Sequence, residues 1–120
     1  MKYRIYLPAT AICLTLLFNA CSKSSSNSTT TPTTPDCSTA KSFATDVAPI
    51  VSASCATNSG CHATGSANGP GALMNYTQIY NNRTAIRAAV ANGTMPQGSS
   101  LSTAQKNAIL CWVDAGAPNN

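Results

Sequence analysis

The chain has 120 residues, seven of them Lys or Arg and three Asp or Glu, with a formal charge of +4 and a single histidine. That length holds one small domain, and no basic cluster interleaved with aromatic residues exists, which argues against a nucleic-acid partner. Much of the charge belongs to the N-terminus: without Lys2 and Arg4, the residues Lys23, Lys41, Arg83, Arg87 and Lys106 face Asp36, Asp46 and Asp114, leaving +2.

Residues 1–20 read as an export signal. Lys2 and Arg4 give the positive start, and the stretch from Leu7 to Phe18 is mostly apolar but too short to span a bilayer, with Pro8 breaking it early. The segment ends Leu17-Phe18-Asn19-Ala20-Cys21, which resembles the lipobox of bacterial lipoproteins. The resemblance implies that Cys21 is acylated and opens the mature protein, holding it to a membrane without a spanning helix. Ordinary signal cleavage, with Cys21 a spare thiol, is the alternative. Residues 21–35 are dominated by Ser, Thr, Asn and Pro and have no apolar residue to start a core, so they read as a flexible tether.

Residues 36–120 form the expected domain. Its first helix is expected to start at Thr45 or Asp46, because either can cap it and Pro49 is tolerated only in a first turn. Val47, Ile50, Val51 and Ser54 then share one face, which runs into Cys55. Asn58-Ser-Gly60 reads as a turn, with Gly60 supplying backbone freedom before Cys61. Residues 63–71 carry three glycines and a proline and read as a loop of little bulk, able to pass close to a flat ligand.

A short helix is expected from Thr77, after the apolar residues Leu73, Met74 and Tyr76. A further helix over residues 82–91 places Ile86 and Val90 on its inner face and Arg83 and Arg87 on a solvated edge, with Asn92-Gly93 as the stop. Ser102-Thr-Ala-Gln105 is a capping box, followed by an apolar stripe of Ala104, Ala108, Ile109, Trp112 and Val113 and a stop at Gly116. No stretch alternates long enough for a strand. The fold class is all-α: a small helical domain with long loops.

The chemistry centres on Cys55-Ala-Thr-Asn-Ser-Gly-Cys61-His62. Two thiols followed at once by an imidazole is the pattern that fastens haem c. The thiols add to the two vinyl groups and the histidine reaches the iron. The common spacing leaves two residues between the cysteines; here there are five. A domain this small also needs a cofactor, metal or crosslink to supplement its core. A second iron ligand would be a methionine thioether. Met95, held before Pro96 in a loop, is favoured over Met74, which sits in an apolar run where methionine usually fills gaps.

Ser42-Phe-Ala-Thr-Asp-Val-Ala-Pro-Ile50, then Cys55…Cys61-His62, Met95-Pro96, and Leu101-Ser102…Ile109…Trp112-Val113-Asp114-Ala115-Gly116-Ala117-Pro118 follow one another in an order similar to small c-type cytochrome domains. The closest likeness is to those of lipoproteins and outer-surface proteins of Bacteroidetes and planctomycetes. The resemblance covers nearly all of residues 42–118. It implies a cytochrome c-like fold with haem c attached through Cys55 and Cys61, His62 and Met95 as iron ligands, and one-electron transfer with envelope redox proteins. Gln97 stands where a second proline often follows in that family.

Cys13 leaves with the signal, so Cys37, Cys55, Cys61 and Cys111 remain after Cys21 takes lipid, an even number outside the cytoplasm. Cys37 and Cys111 have no haem-like neighbour and are expected to pair. The competing reading is a haem-free envelope module in which Cys55 and Cys61 form a second disulfide. Zinc is a poorer reading, since adjacent Cys61 and His62 chelate one tetrahedral ion badly. A Cys–His hydrolase lacks an identifiable supporting Asn or Asp and needs a thiol that stays reduced outside the cell.

Overall fold

The computed structural model describes residues 34–120. The signal segment 1–20, the lipidation expected at Cys21 and the tether as far as residue 33 lie outside the described residues. Among the described residues there are four α-helices and no strand: α1 (Ala48–Ser54), α2 (Tyr76–Asn81), α3 (Arg83–Ala91) and α4 (Thr103–Asp114). No helix among them is long and apolar enough to cross a membrane.

The chain turns helical earlier than Thr45. Ser42 is extended (φ −100°, ψ 144°), and its hydroxyl accepts the Thr45 amide at 3.3 Å while the Asp46 carboxylate accepts the Ser42 amide at 2.8 Å. Asp46 therefore serves the cap from inside the helix instead of being the cap. One π-helical turn, Phe43–Val47, leads into α1. Pro49 accounts for it. In an unbroken α-helix its ring would meet the Thr45 carbonyl four residues back. The Val47 and Ala48 amides instead reach five residues back, to the Ser42 and Phe43 carbonyls, which widens the ladder just ahead of the ring. The free amides of this turn are met from far along the chain: Phe43 donates to the Asn120 side-chain oxygen and Ala44 to the Asn120 carbonyl, both at 2.9 Å.

Helix α2 starts at Asn75, whose side chain accepts the Gln78 amide at 3.0 Å, and Asn82 joins it to α3. Arg83 and Arg87 are more engaged than a solvated edge. The Arg83 guanidinium lies 4.0 Å from the Tyr80 ring centre and donates to the Tyr80 carbonyl. Arg87 forks onto both carboxylate oxygens of Asp114 on α4, at 2.5 and 2.8 Å.

Helix α4 carries the capping box in both directions: Gln105 donates its amide to the Ser102 hydroxyl and accepts the Ser102 amide on its side-chain oxygen. Ala104 is exposed, so the buried stripe begins only at Ala108. It is also wider than the helical spacing suggests, since Leu110 and Cys111 are buried alongside Ala108, Ile109 and Trp112. Leu110 joins the apolar core, and at Cys111 the cause is covalent. Cys111 is bonded to Cys37, with Cα atoms 5.3 Å apart, so the segment before the first helix lies against this side of α4.

Trp112 is fully buried and its indole N–H donates to the Pro118 carbonyl at 2.9 Å. Phe43 and Tyr76 pack against it, with ring centres 5.6 and 6.4 Å away. The Tyr76 hydroxyl donates to the carbonyl of buried Ala117, 2.9 Å away. Val47, Val51, Leu73, Ile79, Ile86, Val90, Leu101 and Ile109 complete the core around these rings. The π turn packs on α1 and α4, and α3 packs on α2 and α4, which leaves the long loops at 55–75 and 92–102 to build a site.

Candidate functional site

Cys55 is the C-cap of α1, its amide still bonded to the Val51 carbonyl at 2.9 Å. The chain then leaves the helix, turns through Asn58 to Gly60 and comes back. The amide of His62 donates to the Cys55 carbonyl at 3.0 Å and closes the loop. Asn58 organises the turn: its side-chain oxygen accepts the Gly60 amide at 2.8 Å and the Cys61 amide at 3.1 Å. Gly60 is needed for space and not for a left-handed backbone, because a Cβ there would stand 3.0 Å from that same oxygen. Ser66 donates its hydroxyl to the Cys61 carbonyl, and Asn68 donates its side-chain amide to the Gly60 carbonyl at 2.7 Å.

His62 is 8 % exposed. Its Nδ1 lies 3.0 Å from the Gly71 carbonyl. A carbonyl can only accept, so in the neutral ring Nδ1 carries the hydrogen and Nε2 keeps its lone pair. Nε2 has no hydrogen-bond partner among the described residues, yet no buried side-chain nitrogen or oxygen there is left unpaired, so Nε2 opens to solvent. Gly71 reaches the ring with φ +80°, and Gly69, with φ +54°, passes so close that a Cβ on it would lie 3.7 Å from the His62 Cε1.

Cys55, Cys61, His62 and Met95 all line one open cleft of about 500 Å³, together with Pro96 and Gly69. That volume lies within the roughly 300–1,000 Å³ of small-molecule and cofactor sites. Met95 arrives on the loop after α3, where its amide and that of Thr94 both donate to the Ala89 carbonyl. Met74 goes elsewhere. It is not a core gap-filler but 51 % exposed, on a separate hollow of about 100 Å³ beside Phe43 and Leu73. No charged side chain lines the larger cleft.

Cys55 and Cys61 are half-buried free thiols, not bonded to each other, whereas Cys37 and Cys111 are joined. Burial pushes the Cys55 thiol up from its ordinary range, and the nearby Cys61 adds to the effect. Cys55 therefore stays protonated at neutral pH. Among the described residues no three His, Cys, Asp or Glu side chains are grouped to hold a metal ion.

The donor set suits a covalently held haem c: two thiols, an imidazole nitrogen with a free lone pair and a thioether around one cleft. The hydrogen bond from Nδ1 is the partner that metal-bound histidines ordinarily keep. The sequence marks Asn58 as part of a turn, an Asn two residues before a Gly, and gives no separate signal for Ser66, Asn68 or Gly71. Compared with protein-family models, curated proteins and solved structures, the chain finds no match.

Proposed function

We propose that this domain binds haem c covalently and carries single electrons at the bacterial cell envelope, to which acylated Cys21 attaches it. The gathering of Cys55, Cys61, His62 and Met95 on one cleft, with Met74 outside it, is the observation that supports this reading. Cys55 and Cys61 would hold the group through two thioether bonds, formed without an oxidant because each thiol's sulfur and hydrogen would go to one vinyl. His62 offers Nε2 to the iron and the Gly71 carbonyl fixes the ring behind it. Met95 offers its sulfur as the second ligand, a pairing that favours ferrous iron. The bound group supplies the one-electron valence change. The polypeptide sets its potential by ligand choice and burial and makes no bond in a substrate, so the protein is an electron carrier and not an enzyme. Its partners are redox proteins of the periplasm or outer surface.

The test is production in a host that matures c-type cytochromes. The expected product is red, keeps its colour through acid–acetone extraction and is heavier by one haem. Colourless protein with Cys55 and Cys61 bonded to each other would overturn the reading and leave a disulfide-stapled binding or structural module.

A further inference from the structure

Five residues separate Cys55 from Cys61, too many for one regular helical turn to present both sulfurs together. The structure nevertheless brings both to one cleft. We propose that Asn58 is the positioning residue that makes this long spacing work as a paired-thiol site, an inference that rests on the haem reading above.

The case is in the hydrogen bonds. One side-chain oxygen holds two successive amides, Gly60 and Cys61, at 2.8 and 3.1 Å. The Asn58 carbonyl accepts the Cys61 and Ala63 amides, both at 3.0 Å. Asn58 thus grips the backbone on either side of His62 and at Cys61 itself. The loop is shortened to a compact knot, across which the His62 amide can reach the Cys55 carbonyl. Asn68, holding the Gly60 carbonyl, and Ser66, holding the Cys61 carbonyl, brace the same two residues from the following loop. Thr57 and Ser59 make no comparable bond to the loop backbone.

The two amide bonds need only an oxygen acceptor at position 58, the side-chain NH2 making one long contact of 3.4 Å to the Thr57 hydroxyl, so Asp should replace Asn and Ala should not. Asn58→Ala leaves the Gly60 amide without its acceptor and the Cys61 amide with the Asn58 carbonyl alone, which corresponds to a change on the order of tenfold in an equilibrium that requires both thiols together. Gly60→Ala reaches the same end by another route, because its Cβ would crowd the Asn58 oxygen at 3.0 Å.

The experiment uses the full chain made without haem supply, mildly reduced, and phenylarsine oxide, a trivalent arsenical that bridges two neighbouring thiols. Bound arsenic is located by peptide mass, so that any capture at Cys37 and Cys111 is counted apart. The expected result is one arsenical across Cys55 and Cys61, bound about tenfold more weakly by Asn58→Ala and by Gly60→Ala. Asn58→Asp and Ser59→Ala should bind as the unaltered chain does. Equal binding by Asn58→Ala and the unaltered chain would overturn the proposal, as would failure of the unaltered chain to bridge the pair. Should Asn58→Ala not fold, Gly60→Ala against Asn58→Asp decides. Intact arsenical behaviour in a chain that never acquires haem would sink the electron-carrier reading and leave Asn58's role standing. Haem held through both thioethers in Asn58→Ala as in the unaltered chain would count against Asn58 alone.

Discussion

The imidazole of His62 gives its Nδ1 hydrogen to the carbonyl of Gly71, 3.0 Å away, and Gly71 can present that carbonyl because its φ is +80°. A residue with a side chain is strained there by about 1–2 kcal/mol. Gly71→Ala should lower unfolding free energy by about that amount in urea titration through its backbone, since its Cβ would meet the Ser66 carbonyl only at an ordinary 3.4 Å. Gly65 has nearly the same φ, +82°, with nothing near its Cβ position, so Gly65→Ala isolates the backbone term. With haem bound as proposed, only Gly71→Ala should also alter its absorbance, because of the two glycines only Gly71 bonds the His62 ring.

Met95 and Met74 are separable by substitution. Met95→Ala should lower the reduction potential on the order of 0.1 V, within the roughly 0.8 V that axial ligands span, and open the iron to added imidazole. Met74→Ala should change neither, since Met74 lies on a different hollow. Redox titration followed by absorbance checks both, and an unchanged potential in Met95→Ala would remove Met95 as a ligand.

The Cys37–Cys111 bond joins residues 74 apart in sequence. Closing so long a loop restricts the unfolded chain, and the paired change Cys37→Ala with Cys111→Ala should cost about 2–5 kcal/mol in thermal or urea unfolding. Helix α4 is the element that should loosen first, because the segment around Asp36 and Cys37 covers its Cys111 side; hydrogen exchange along α4 would report it.

Asp114 gives the acid limb a definite sign. The hydrogen bonds from Arg87 hold its carboxyl below the ordinary carboxylate range, with burial opposing them weakly. Between the folded value and the unfolded value of about 3.9 the unfolded chain binds more protons. The contribution is therefore complete above the unfolded value and fades as pH falls through the folded one. Both side chains are more than a third exposed, so the pair is worth well under about 1 kcal/mol and less at high salt. Asp114→Asn should flatten that part of a stability-against-pH curve and leave stability at pH 7 almost unchanged.

Local chemistry made much of the fold legible. Ser102 and Gln105 cap α4 as their spacing requires, and Asn92-Gly93 ends α3, with Gly93 at φ +74°. Pro49 sits in the first turn of α1, as its ring requires, but the π turn that starts the helical run at Phe43 leaves no mark in that rule. Cys111 is bonded to a segment 74 residues away, which no 3.6-residue period can report. The separation of Met95 from Met74 was legible only in outline: a Met-Pro loop against an apolar run, with the exposure of Met74 unforeseen. Gly71 escaped notice because three glycines in one loop read alike until one of them is seen to face His62.

Where the chain enters the domain, Cys37 is welded to the last helix, and Asn120 is clasped to the first turn through Phe43 and Ala44. A pull arriving at Cys37 is thereby shared with α4 through the bond as well as passing along the chain into the π turn. Load entering at Cys37 thus has a route into the core that does not run through the loop holding Cys55 and Cys61.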